Sequence, residues 1–222
     1  MVRLNFALLT GTGMSYKAVT QNPRELEAFL DWIEVSRINV YLEIGLYAGA
    51  TFKAVYDRLM KVWDNDTSKF LVFGIDMPTN KEAWKVCTDT LQNTPSVRVW
   101  WTSSTDKDTV EDVLRGVRLF QTEHGSEYHG TELCQSLVFI DGDHNYAQVK
   151  DDYMAYEKAF NYVAFNDISP GTVAQNKAKF DGREIASGYH FYDALKVSNG
   201  VDEVAYWDMP DQGKYRGIGV LS

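Results

Sequence analysis

The stretch Leu137-Val138-Phe139-Ile140-Asp141-Gly142-Asp143-His144 brings two carboxylates and an imidazole to the end of an apolar run too short for a helix. In an open α/β sheet, ligands bind beyond the carboxyl ends of the strands. A strand ending this way would therefore set a proton carrier and hard oxygen ligands beside a bound molecule. The same residues also suit a plain strand-to-helix turn, with Asp143 or His144 as the helix cap.

Three more strand ends repeat the pattern. Asn39-Val40-Tyr41-Leu42-Glu43-Ile44-Gly45 closes on a carboxylate and a glycine, residues 70–75 close on Asp76, and residues 162–165 close on Asn166-Asp167. If these strands run parallel, Glu43, Asp76, Asp141 and Asp167 lie along one sheet edge. A carboxylate placed like Asp76 can accept hydrogen bonds from a ribose diol. Gly45 and Gly49 would let the backbone approach a ligand and leave a helix N-terminus open. Their Gly-x-x-x-Gly spacing is not the Gly-x-Gly-x-x-Gly of dinucleotide folds, and no Lys-Ser or Lys-Thr follows as a phosphate loop requires.

The elements that must position these residues follow from periodicity. Asn22-Pro23-Arg24-Glu25 reads as a helix start, and Leu26, Phe29, Leu30 and Ile33 carry an apolar stripe through residues 23–36. Helices are likewise expected near 51–60, 81–92, 106–120, 145–160 and 189–196. Residues 97–101, 203–207 and 217–221 read as strands, the last two joined by turn chemistry at Pro210, Asp211 and Gly213. Residues 121–135, with His124 and His129, read as a surface loop; that pair lacks a third metal ligand. Strands alternating with helices argue for an α/β fold: a Rossmann-like, doubly wound, mostly parallel seven-stranded sheet with an antiparallel C-terminal strand and helices on both faces. No repeat or linker divides the chain, so residues 1–222 are expected to form a single domain, with 1–36 as an N-terminal lid segment and helix. The aperiodic stretches 10–21 and 169–187 are the expected lids.

With 222 residues, 45% hydrophobic and 24% charged, the chain has an ordinary globular composition. A net charge of -9 argues against nucleic-acid or anionic-membrane partners. Lys177, Lys179 and Arg183 read as a solvated loop. Cys87 and Cys134 lack the spacing of a metal knuckle or redox pair, and no signal peptide or membrane-spanning run is evident. A cytoplasmic, reducing setting and a small-molecule substrate are the expectation, with a homo-oligomer left open. Trp100, Trp101, Tyr189, Phe191 and Trp207 would permit an aromatic-lined pocket, although core packing explains most such residues.

Taken together, Leu42-Glu43-Ile44-Gly45-Leu46-Tyr47-Ala48-Gly49-Ala50-Thr51, Gly74-Ile75-Asp76, Phe139-Ile140-Asp141-Gly142-Asp143-His144-Asn145-Tyr146 and Ala164-Phe165-Asn166-Asp167-Ile168 resemble a class I S-adenosylmethionine-dependent methyltransferase. The likeness is to the branch with macrolide and catechol-type O-methyltransferases and cephalosporin-hydroxylase-like proteins. It implies O-methylation of a small molecule with S-adenosylmethionine as cofactor. Glu43, Gly45 and Gly49 would shape the methionine end of the pocket, Asp76 would hold the ribose, Thr102, Ser103 and Ser104 would flank the adenine, and Asp141 would also belong to the cofactor site. In metal-using members Mg²⁺ sits where this chain has Asp141, Asn166 and Asp167; an acid in place of Asn166 is common there. His144 and Asp141 would serve the chemistry, His144 taking the substrate proton. The rivals are a cephalosporin-hydroxylase-like enzyme of the same fold, a nicotinamide-binding oxidoreductase, which the glycine spacing disfavours, and a binding protein without turnover.

Overall fold

Asn22 starts the first helix as its type predicts: its Oδ1 accepts the Arg24 backbone N–H at 3.0 Å, and Pro23 occupies the first helical position. A computed structural model describes residues 21–77, 85, 94–124, 134–171, 187–198, 200–208 and 216–222. The helices are α1 (Pro23–Val35), α2 (Ala50–Val62), α3 (Lys107–His124), α4 (Tyr146–Tyr156) and α5 (Gly188–Val197). The strands are β1 (Ile38–Ile44), β2 (Leu71–Asp76), β3 (Val97–Trp101), β4 (Gln135–Ile140), β5 (Tyr162–Asn166), β6 (Glu203–Trp207) and β7 (Ile218–Leu221).

The strands form one sheet in the order β3-β2-β1-β4-β5-β7-β6. Pairs among β1 to β5 are parallel, and β7 runs antiparallel to both of its neighbours. The expected Rossmann-like sheet with an antiparallel C-terminal strand is thus observed. Register matters for the site. Ile44 faces both Ile75 and Ile140 across its neighbours, and Ile140 faces Phe165. The first residues beyond β1, β2, β4 and β5 therefore emerge level, on either side of the point where strand order reverses.

Each face of the sheet carries its own core, because alternate strand residues point to opposite faces. Tyr41, Phe139, Ile218 and Val220 pack under α1 and α2 with Phe29, Ile33, Phe52 and Leu59. Leu42, Ile44, Phe73, Val138 and Phe165 pack under α3, α4 and α5 with Val113, Val117, Val149, Phe191 and Tyr192. Among the described residues no helix is long and apolar enough to cross a membrane.

One expectation changes. The loop expected over 121–135 begins later, because α3 continues to His124, whose ring lies 4.4 Å from that of Phe120. Of the aromatic residues that would permit a lined pocket, three pack as core residues, as expected of most of them: Trp100 meets Phe73, Trp207 meets Phe29, and Phe191 meets Tyr146 and Tyr153. Cys134 is a free, half-buried thiol near Asn39, and burial pushes its pKa up to about 11. Apart from residue 85, the helix expected over 81–92, with Cys87, lies outside the described residues, as do His129, the Lys177, Lys179 and Arg183 loop, the 210–213 turn and most of both proposed lids.

Candidate active site

A cavity of about 640 Å³ opens beyond the carboxyl ends of β1, β2 and β4, where ligand sites in such sheets form. Its size falls in the usual range for small-molecule sites. Gly45, Asp76, Ser103, Ser104, Asp141, Asp143, His144 and Asn166 line it as the sequence predicts; Gln148, Asp152 and Arg216 line it without having been predicted. Glu43, Gly49 and Asp167 are not part of its wall.

The turn after β1 is built by backbone demands. Gly45 has φ +87°, and a Cβ there would stand 2.5 Å from the Asp141 carbonyl oxygen and from Gly142 Cα. The glycine is required here because two loop backbones meet. Gly45 N–H bonds the Ile75 carbonyl, and Asp141 N–H bonds the Ile44 carbonyl, both at 2.9 Å. Gly49, also in the left-handed region, is the N-cap of α2 and has no side chain to cap with.

Asp76 braces this turn from the next strand. Its Oδ2 accepts the Leu46 and Tyr47 backbone N–H groups at 3.1 and 3.0 Å, and its Oδ1 accepts Met77 N–H at 2.7 Å. The carboxylate faces the cavity while already holding the loop in shape. Glu43 behaves differently from the expectation. Two residues from Tyr41 on the same strand, it shares that residue's face, where Tyr41 Oη donates to its Oε2 at 2.6 Å. It is 1% exposed, and burial raises its pKa well above its ordinary value against the opposing hydrogen bond from Tyr41.

Beyond β4 the turn divides its roles. Asn145, rather than Asp143 or His144, caps α4, accepting Gln148 N–H at 3.0 Å. Asp143 accepts Asn145 N–H at 3.1 Å. His144 is thereby left half-exposed at the cavity, its Nε2 3.6 Å from Asp167 Oδ2.

Asp141 receives two amide donors, Asn166 Nδ2 on Oδ1 and Gln21 Nε2 on Oδ2, both at 2.6 Å. Desolvation and the nearby Asp167 charge nonetheless push its pKa up to about 8, the amide bonds and Arg216 opposing them. Asp167, 6% exposed and with φ +57°, is paired to Arg216 Nη1 at 2.6 Å. The donor set does not suit Mg²⁺. That ion demands oxygen ligands in near-octahedral array, whereas here Asn166 offers an N–H, both Asp141 oxygens carry amide protons, and a guanidinium already sits on Asp167. Among the described residues no three His, Cys, Asp or Glu side chains are grouped to share a metal.

A second polar group lines the same cavity. Ser104 Oγ donates to Asp152 Oδ1 at 2.5 Å, Gln148 Nε2 donates to it at 3.0 Å, and Tyr156 Oη bonds the Ser104 carbonyl at 2.6 Å. Asp152 is 1% exposed, and its Oδ2 has no hydrogen-bond partner among the described residues. Burial raises its pKa. Sequence reasoning passed over it, although a signal was present: Gln148 and Asp152 stand four apart on one helix face, beside the stripe of Val149 and Tyr156.

No protein-family model matches the sequence, and a search of curated proteins finds no match. Solved structures do share its fold. A candidate caffeoyl-CoA O-methyltransferase from Staphylococcus aureus aligns with a TM-score of 0.59 at 13% identity, covering 90% of this chain and 83% of that one. The O-methyltransferase TomG of Streptomyces achromogenes, involved in tomaymycin synthesis and solved with S-adenosylmethionine, aligns at 0.58 and 11%, covering 90% and 80%. An O-methyltransferase from Bacillus cereus with S-adenosylhomocysteine aligns at 0.57 and 14%, covering 92% and 83%. The chain therefore has the fold of class I methyltransferases, as the sequence motifs led us to expect.

Proposed function

We propose that this protein is an S-adenosylmethionine-dependent methyltransferase acting on an oxygen of a small molecule. The observation that carries this reading is the cavity wall: four carboxylates, Asp76, Asp141, Asp143 and Asp152, stand against one guanidinium and one imidazole. S-adenosylmethionine offers such a wall a sulfonium, an ammonium, a ribose diol and an exocyclic amine. A nicotinamide dinucleotide would instead bring a pyrophosphate, whose charge this acidic wall opposes, and two of the loop N–H groups, those of Leu46 and Tyr47, are already held by Asp76. Neighbours of this fold solved with S-adenosylmethionine or S-adenosylhomocysteine support the same choice.

In this reading Asp76 accepts the ribose hydroxyls while keeping the Gly45 turn in place. Ser103, Ser104 and Asp152 receive the adenine, with Asp152 Oδ2 accepting its amine. Glu43 acts from beneath the Gly45 turn, holding the strand end rather than touching a ligand. The cofactor, when bound, supplies a methyl group on positively charged sulfur. What remains for the chain is to align an oxygen and remove its proton. His144 is placed to take that proton at the cavity. Asp167 at 3.6 Å is too far to hydrogen-bond the ring but supports the imidazolium electrostatically. Asp141 adds negative charge beside the reacting centre once ionised.

Two variants test these roles. Asp152→Ala should weaken S-adenosylhomocysteine binding by roughly 10- to 100-fold, the value of one hydrogen bond to a charged group, as read by thermal-shift titration. An unchanged affinity would remove Asp152 from the adenine site. His144→Ala should slow methyl transfer by about 10² to 10⁴-fold and leave that affinity intact. A parallel loss of both would assign His144 to binding instead.

A further inference from the structure

We propose that Arg216 is the resident cation of this site, standing among the strand-end carboxylates where the resemblance seen in the sequence would put a divalent ion, so that the chain works without one. The proposal draws on the methyl-transfer reading only for the reaction being served. The claim about the cation concerns the protein alone.

The arginine is built into its place. Residue 216 lies just before β7, and its carbonyl accepts Ser169 N–H at 2.8 Å, while the Gly217 carbonyl accepts Ile168 N–H at 3.4 Å and Gly217 N–H reaches the buried Glu25 Oε2 at 3.4 Å. This pairing clamps the segment beside the end of β5. Asp167 turns to meet it in a left-handed conformation that L-residues adopt at a cost. The guanidinium then lies 2.6 Å from a carboxylate that is 6% exposed, and breaking a pair at so buried a group leaves an uncompensated charge. Arg216 also lines the cavity itself, so its charge acts on whatever binds there.

The other groups are arranged to suit an arginine and not a metal. Asn166 Nδ2 lies 2.6 Å from Asp141 Oδ1 and 3.3 Å from Asp167 Oδ1, placing N–H where a hard cation needs oxygen. Gln21 covers the remaining Asp141 oxygen. A divalent ion would have to turn both amides and expel the guanidinium. Arg216 is thus a positioning residue: it holds Asp167 toward His144 and supplies, as one fixed charge, the neutralisation a metal would otherwise provide.

Electron paramagnetic resonance of Mn²⁺ titrated with the whole protein tests this directly. Wild type and Arg216→Lys should leave the signal of aqueous Mn²⁺ unattenuated. Arg216→Gln removes the charge and should gain Mn²⁺ affinity by roughly tenfold or more; adding Asp141→Asn should abolish the gain. Circular dichroism of each variant checks that it is folded, and Arg216→Lys supplies the charge-preserving comparison should Arg216→Gln fail to fold. Attenuation by wild type that Asp141→Asn or Asp167→Asn removes would overturn the proposal. So would a folded Arg216→Gln with no gained affinity. S-adenosylhomocysteine titrated into the same samples reports on the methyl-transfer reading separately: its failure to bind would sink that reading and leave the Mn²⁺ result standing.

Discussion

Gly45→Ala should cost about 4 kcal/mol of folding stability, the sum of a backbone penalty and a steric one. The backbone penalty arises because φ is +87°, a region where an added Cβ crowds its own carbonyl. The steric part arises because that Cβ would lie 2.5 Å from two backbone atoms of the β4 turn, which cannot swing aside as a side chain would. Gly200 separates the two effects. It has φ +96° with nothing within 4 Å of its would-be Cβ, so Gly200→Ala should cost only about 1 kcal/mol. Chemical denaturation of both variants checks the difference. Equal costs would show that the Gly45 turn is not held against Asp141 and Gly142. Because those residues line the cavity, Gly45→Ala should also lose ligand binding at temperatures where it remains folded.

Asp141→Asn should make the protein more stable than its parent at pH 8, with the difference closing toward pH 4. The folded carboxyl titrates near 8 and the unfolded one near its ordinary value. Below both values each state holds the proton, and this group contributes nothing to pH dependence. Between them the unfolded chain has released its proton and the folded chain has not, so stability falls as pH rises, by up to about 1.4 kcal/mol per unit. Above 8 both states are ionised and the full penalty is present. The buried Glu43 pulls in the same direction but is common to both proteins, so the difference between them isolates residue 141. An Asn at 141 would need one neighbouring amide to turn, and Asn166, whose Oδ1 is buried without a hydrogen-bond partner among the described residues, gains one by doing so. Denaturation midpoints of both proteins, taken at roughly unit intervals from about pH 5 to about pH 8, decide it. A difference between the two proteins that stays constant through that window would show that Asp141 does not titrate there. The same proton should leave when a cationic ligand binds below pH 8, which calorimetry in buffers of different ionisation enthalpy would register.

Most of the fold was legible because strand ends and helix starts are local signals. Asn22-Pro23 announced α1, and the carboxylates closing four strands announced a parallel edge, which the register of Ile44 with Ile75 and Ile140 confirms. What escaped was direction and distance. Glu43 lies within its strand, so it shares a face with Tyr41 and is buried beneath α1 and α2, whereas Asp141 lies just past β4 and is free to turn into the cavity. The cap of α4 fell to Asn145 by one residue, which is what leaves Asp143 and His144 at the site. Arg216 reaches Asp167 across 49 residues and Gln21 reaches Asp141 across 120, contacts that no spacing rule could propose. Asp152 was in principle visible, as a polar residue on the buried face of α4.

Isothermal calorimetry of the parent protein with S-adenosylmethionine, S-adenosylhomocysteine and NAD tests the central claim most directly. The carboxylate-lined cavity predicts saturable heat from both sulfur nucleosides, weakened by Asp152→Ala, and none from NAD. Saturable heat from NAD with none from either sulfur nucleoside would contradict it.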